Sequence, residues 1–306
     1  MESLSRGVTF LKAAWQMAFK DKDLIKPSIY AMIVGFFVSV AGLVPLIGAA
    51  LLFGDGSFLG RAILVIIGAV LIFVHYVVSY IFSGMTVYLI YGYLAEGDGR
   101  MDKAWAKVQR EFWSIISLAA VSTVVSVIAR EARNGRGRRS ATGVIGGALA
   151  GLLQTVWTEA SYLILPAMMI EDANLVSGVK RATQIAKGNL LLIGVSTVGV
   201  SLVTNAIGFV LGLIGLVLGF GVGYGLIALF GTGTAGLVIG LGLGAMIFFA
   251  FVMVASLIST YTKTAYHTCL FLWARDVEKA QSQAQGAAIP VQIPAPAPLA
   301  AVLGQM

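Results

Sequence analysis

Apolar residues run along this chain in six long blocks, at roughly 28–53, 61–94, 112–129, 141–170, 189–219 and 236–273. The short stretches between them hold almost all the charge. A helix needs about 20 consecutive apolar residues to cross the hydrocarbon core of a bilayer. The pattern therefore predicts an all-α membrane protein of six transmembrane helices. The second and sixth blocks exceed what one crossing requires, so those helices tilt, kink or continue into water.

A second pattern precedes each odd-numbered block. Leu4, Val8, Leu11, Trp15 and Ala18 recur at helical spacing, then Met101, Trp105, Val108 and Phe112, then Leu175, Val179, Ala182 and Ile185. Each set is an apolar stripe on an otherwise polar helix, which suits the headgroup boundary. Similar text accompanies the stripes: Lys12-Ala13-Ala14-Trp15-Gln16, Lys103-Ala104-Trp105-Ala106-Lys107 and Lys180-Arg181-Ala182-Thr183-Gln184. The repeating unit is an interfacial helix followed by a transmembrane hairpin, three times over. The first interfacial helix is expected over 3–26, and Pro27 opens the first span. Gly97-Asp98-Gly99 is expected to turn the chain and cap the second interfacial helix. Residues 1–279 form the membrane domain; 280–306, rich in Pro and Ala, is expected to be a disordered tail.

Composition narrows the class. Of the 306 residues, 58% are hydrophobic and only 11% charged, against about 45–50% and 25% in soluble domains. That excludes a soluble enzyme and a disordered regulator. The net charge of +7 reads as positive-inside bias and contact with anionic lipid, not as nucleic-acid binding. With the N-terminus inside, fifteen Lys and Arg fall on the cytoplasmic side and six outside, so both termini are expected in the cytoplasm. One loop objects: Arg130, Arg133, Arg136, Arg138 and Arg139 would all be external. The alternative is that 112–129 and 141–170 dip into the membrane and return, which needs burial in protein. The first apolar run is too long and too late for a cleavable leader.

Chemistry-bearing residues are few. One cysteine, Cys269, excludes an intrachain disulfide and a Cys-based metal site, and with only two histidines, His75 and His267, no His-rich metal site is expected. No catalytic motif and no cofactor-binding motif is present. Polar residues inside spans default to a functional reading; they are His75, Gln154, Glu159 and Asn205, with a Glu159–His75 contact as one way to pair them. Small residues four apart favour close helix packing in lipid, which singles out Gly208, Gly212, Gly215, Gly219, Gly223, Gly236, Gly240 and Gly244. Residues 220–235 are expected to be a loop, and Gly219 to Gly225 superficially resembles a selectivity loop. Glu171 and Asp172 are expected to start the third interfacial helix, where negative charge suits the dipole.

The order of Ala14-Trp15, Gly97-Asp98-Gly99, the basic loop 130–139, Leu165-Pro166-Ala167-Met168-Met169-Ile170-Glu171-Asp172, Gly178-Val179-Lys180-Arg181-Ala182 and Thr264-Ala265-Tyr266 resembles an uncharacterised family of prokaryotic polytopic membrane proteins. It is distantly similar to the membrane domain attached to some glycerophosphodiester phosphodiesterases. The resemblance covers about residues 1–275 and implies six helices with interposed amphipathic segments in the plasma membrane. It implies no activity, because the family has none assigned, and the phosphodiesterase chemistry is not carried over, since that activity belongs to a soluble catalytic domain the resemblance does not cover. The expected function is a non-enzymatic membrane scaffold or accessory subunit that binds lipid, another integral membrane subunit or a second copy. The alternative is a small-molecule or lipid transporter with a polar midplane site.

Overall fold

The computed structural model describes residues 2–53, 58–134, 141–188, 190–231, 233–283, 295–296 and 298–300. Every element among them is helical. In chain order they are α1 (Glu2–Lys20), a 3-10 turn (Lys22–Leu24), α2 (Lys26–Phe53), α3 (Phe58–Glu96), α4 (Met101–Arg110), α5 (Phe112–Asn134), α6 (Ala141–Ile170), α7 (Leu175–Gly188), α8 (Leu190–Phe230) and α9 (Thr234–Gln283). α2 packs along α3, α5 along α6, and α8 along α9.

Five helical stretches are long and apolar enough to cross a membrane: Lys22–Phe53, Phe58–Glu96, Phe112–Arg133, Gly199–Phe230 and Thr234–Ala280. The fourth expected span, 141–170, qualifies only as part of a bent pair, Gly146–Ile170 with Leu175–Lys187, which meet at 118°. The reason lies in α6 itself, where Gln154, Thr155, Thr158, Glu159 and Ser161 dilute its apolar character.

Several boundaries differ from the sequence reading. The first interfacial helix stops at Lys20, not at 26. Asp21 breaks it by accepting a hydrogen bond from the Asp23 N–H at 2.9 Å and one from the Gly99 N–H at 2.7 Å. Gly97 turns the chain at φ +79°, a conformation open to glycine at no steric cost. Asp98 does not cap α4: Arg100 holds that position without a side-chain cap bond. Glu171 and Asp172 end α6 instead of starting α7, whose N-cap is Asn174, bonded to the Ser177 N–H at 2.9 Å. The expected loop at 220–235 is mostly helix. α8 runs through Gly219 to Gly225 to Phe230, and the chain turns at Gly231, with φ +83°.

The core sits at one end of the bundle. Phe10 and Ala14 of α1, Leu89 and Ile90 of α3, Ala104 of α4, Ile115 and Leu118 of α5, Ile164 and Met168 of α6, and Tyr261, Tyr266 and Leu270 of α9 are essentially sealed from solvent. Burying a side chain of this size contributes about 1.5–3 kcal/mol. The three amphipathic helices clamp this end through their small residues. The alanines aligned by the internal repeat, Ala14, Ala104 and Ala182, are 0%, 0% and 4% exposed. Their bulky neighbours turn outward, as Val8, Phe19 and Trp105 do. In α1 the buried face is Gly7, Phe10, Ala14 and Met17, one position off the stripe of Val8, Leu11 and Trp15. Gly7 lets α1 cross α8 closely: a Cβ there would stand 2.6 Å from the Gly199 carbonyl oxygen.

Ion pairs tie the clamp together, with Lys107 and Glu111 buried and the others reaching toward solvent. Lys107 meets Glu111 at 3.2 Å and also pairs with Asp172, joining α4 to the α6–α7 corner. Arg181 bridges Glu171 at 3.0 Å and Glu278 at 2.6 Å, joining α7 to α6 and α9. The Lys107 ammonium, hydrogen-bonded to Asp172, holds that carboxyl below its ordinary range. Asp172 has φ +54°, which Asp tolerates better than most residues.

Only part of 280–306 lies among the described residues. α9 continues to Gln283, and Ala295 and Leu299 are buried in the core. Residues 284–294, 297 and 301–306 of the expected tail lie outside the described residues, as do residues 135–139 of the basic loop.

Candidate functional site

Two antiparallel ladders of polar side chains join α3, α5 and α6. Tyr76 and Tyr80 are one turn apart on α3, and Ser126 and Ser122 one turn apart on α5. Spacing of four on both helices places each pair level with its partner. Tyr76 Oη lies 2.6 Å from Ser126 Oγ, and Tyr80 Oη 2.7 Å from Ser122 Oγ. α6 adds Trp157, whose indole N–H donates to Ser122 Oγ at 2.8 Å. It also adds Gln154, which reaches Ser126 at 3.5 Å and accepts from Arg133.

His75 connects this seam to α2. Its Nδ1 lies 3.0 Å from the Leu71 carbonyl, which only accepts, so Nδ1 carries hydrogen. Its Nε2 lies 2.9 Å from Ser39 Oγ, and that oxygen is 2.8 Å from the Gly35 carbonyl. Ser39 has one hydrogen for two acceptors. A neutral ring takes that hydrogen at Nε2; a protonated ring donates to Ser39, which then donates to Gly35.

Two cavities meet at His75 and Ser79. The first, about 340 Å³, lies between α2, α3 and α9, with Ser28, Ser39, Ser256 and Thr260 among its walls. The second, about 560 Å³, lies between the α2–α3 and α5–α6 pairs. Leu46, Gly68, Leu71 and Ile72 form its apolar side, and Tyr76, Ser126, Arg130 and Gln154 its polar side.

Of the four polar residues singled out by sequence, the structure brings two together: His75 and Gln154 share the larger cavity. Glu159 turns elsewhere and meets His267, not His75. The Glu159 Oε2 to His267 Nε2 distance is 3.3 Å, and this oxygen has no hydrogen-bond partner among the described residues. His267 Nδ1 donates to the Lys263 carbonyl at 2.8 Å. Tyr162 stacks on His267 at 5.0 Å and Tyr266 meets it edge-on at 5.1 Å. Asn205 is exposed on α8 and shares neither cavity.

The glycine set also divides. A Cβ on Gly219 would stand 2.5 Å from the Gly244 carbonyl oxygen, and one on Gly223 would stand 2.9 Å from that of Gly240. Gly215 abuts Phe251, and Gly236 packs against the Gly231 turn. Gly208 and Gly212 face open space among the described residues and take no part in this seam. Sequence reasoning does not single out Ser39, Ser79, Ser122 or Ser126; it takes Arg130 only as loop charge and His267 only in the histidine count. The matching four-residue spacing of Tyr76 with Tyr80 and of Ser122 with Ser126 was the one available signal. Among the described residues no three His, Cys, Asp or Glu side chains gather as metal ligands.

A comparison with protein-family models finds no match, and a comparison with curated proteins finds none either.

Proposed function

We propose that the protein is a non-enzymatic integral membrane scaffold or accessory subunit that binds lipid or another membrane protein. In this reading the chain crosses the plasma membrane six times as three hairpins, each led by an interfacial helix, with both termini in the cytoplasm. The observation that carries it is the α8–α9 hairpin. Its seam of glycines brings two long helices into backbone contact. Its outer faces present Phe209, Val210, Val217, Phe220 and Tyr224, an apolar surface suited to lipid and to a neighbouring transmembrane helix. Tyr76, Tyr80, Ser122, Ser126 and Trp157 are meanwhile occupied in joining helices to one another. Native mass spectrometry after gentle extraction tests the reading. A stoichiometric complex with another membrane subunit is the expected result; a bare chain, with neither lipid nor partner, would overturn it.

A second reading, a small-molecule or lipid transporter, is favoured by the two cavities that share His75 and Ser79. Replacement of His75 by Leu would then abolish movement of a substrate through reconstituted vesicles while the protein still folds. The accessory-subunit reading expects no such movement in the wild type.

A further inference from the structure

The larger cavity has a composition that neither helix packing nor the scaffold reading explains. Arg130 is the one charged residue in its wall, and no carboxylate lines it among the described residues. Arg130 lies 18 residues along α5 from Phe112, about 27 Å at the helical rise. That is close to the thickness of the hydrocarbon core, about 30 Å. In the arrangement proposed above, with the amphipathic helices at one membrane face, this length puts the guanidinium at the level of the opposite headgroups. Positive charge on that side runs against the usual distribution, which calls for something that balances it.

The hydrogen-bond inventory points the same way. Gln154 accepts from Arg133 through Oε1, which fixes its amide nitrogen on the side of Ser126. Tyr76 and Ser126 have two hydroxyl hydrogens between them and spend one on their mutual bond, leaving one to donate. The polar wall is thus a cation with amide and hydroxyl donors, the set that recognises an oxyanion. Opposite it stand Leu46, Leu71 and Ile72. Gly68 keeps that side open, since a Cβ there would meet nothing within 4 Å.

We propose that this cavity binds the phosphate headgroup of an anionic phospholipid from the leaflet opposite the amphipathic helices. Arg130 forks onto the phosphate, Gln154 and the Tyr76–Ser126 pair donate to its oxygens, and the first acyl carbons lie along Leu46, Leu71 and Ile72. The proposal rests on the lipid-binding part of the reading above and names the ligand class and its place.

The test titrates the purified full chain with phosphatidylglycerol, with phosphatidylcholine and with inorganic phosphate. Bound mass by native mass spectrometry and the thermal midpoint are both recorded. Phosphatidylglycerol is expected to bind and raise the midpoint more than phosphatidylcholine. Arg130→Gln should weaken it at least about tenfold, since the forked pair of charged hydrogen bonds is lost. Gly68→Phe should weaken it by filling the space. Gly35→Phe is the control: Gly35 lines the smaller cavity, where a Cβ also meets nothing, and it should leave binding unchanged. Gly35 and Gly68 both have room for a side chain, so these variants separate site loss from misfolding. Equal binding of phosphatidylglycerol by Arg130→Gln and Gly68→Phe would overturn the site while leaving the protein a lipid binder. A shift with inorganic phosphate that Arg130→Gln removes, without one for the lipid, would assign the site to a soluble phosphate and overturn the lipid source. Absence of any lipid on the wild type would overturn the lipid-binding reading itself.

Discussion

The two ends of the bundle are held by different physics. At the amphipathic-helix end, large side chains from seven helices, Phe10 and Tyr266 edge-on at 5.2 Å among them, are shut away from solvent. Buried ion pairs such as Lys107 with Glu111 stitch the seams. In the distal half of α8–α9 the order is reversed. Phe220, Leu229 and Val238 are more than 60% exposed, and the residues in contact are Gly219, Gly223, Gly240 and Gly244. Where water competes for the chain, hiding apolar surface drives assembly. Where lipid surrounds it, a leucine gains nothing by changing neighbours, and backbone approach is what remains.

The largest effect expected from breaking this contrast lies at Lys107. Its replacement by Met leaves Glu111 buried without its partner. A loss of about 3–5 kcal/mol should appear as a lowered thermal midpoint of the purified protein. The corresponding strike at the other end is Gly219→Leu, whose Cβ collides with backbone. It should cost about 1–3 kcal/mol and raise disulfide-free α8–α9 separation by spin-label distances, whereas Gly208→Leu, facing open space, should change neither. The middle of the molecule should be softer. Tyr80→Phe removes the bond to Ser122 and should cost about 0.6 kcal/mol, the average for such bonds in a membrane.

The smallest effect is a pH dependence confined to the clamp. Asp172 has its folded pKa depressed by Lys107. Its contribution is present above the unfolded carboxyl value, about 3.9, and is lost as pH falls through the lower folded value. The wild-type midpoint should therefore drop in acid below that range, and the Lys107→Met variant should lack this component. Asp172 is 63% exposed, so solvent screening keeps the effect small.

The helical blocks were legible in the sequence because a run of 20 or more apolar residues has few other outcomes. The faces were less so. The stripe of Val8, Leu11 and Trp15 is the bulkiest on α1, yet the bundle takes Gly7, Phe10 and Ala14, because small residues permit the close crossing at Gly199. Glycine spacing located the α8–α9 seam but included Gly208 and Gly212, since a period of four fixes a stripe and not the side on which its partner stands. The polar site was half legible. His75 and Gln154 do share a cavity, but Glu159 finds His267 from a helix more than a hundred residues on. Which helices become neighbours is decided by the whole bundle. Arg130 drew notice as loop charge only; its role as the single cation of a cavity depends on α2 and α3, which the local sequence does not contain.

The seating of α1 has a consequence for how the chain is made. Trp15 bonds Thr262, and Tyr261 bonds the Ala14 carbonyl, each across a separation of 247 residues. At about 5–20 residues per second, the first helix leaves the ribosome roughly 12–50 s before its partner exists. Through that interval α1 has the bilayer surface as the place to rest its apolar residues, and its docking onto α9 belongs among the closing steps of biogenesis.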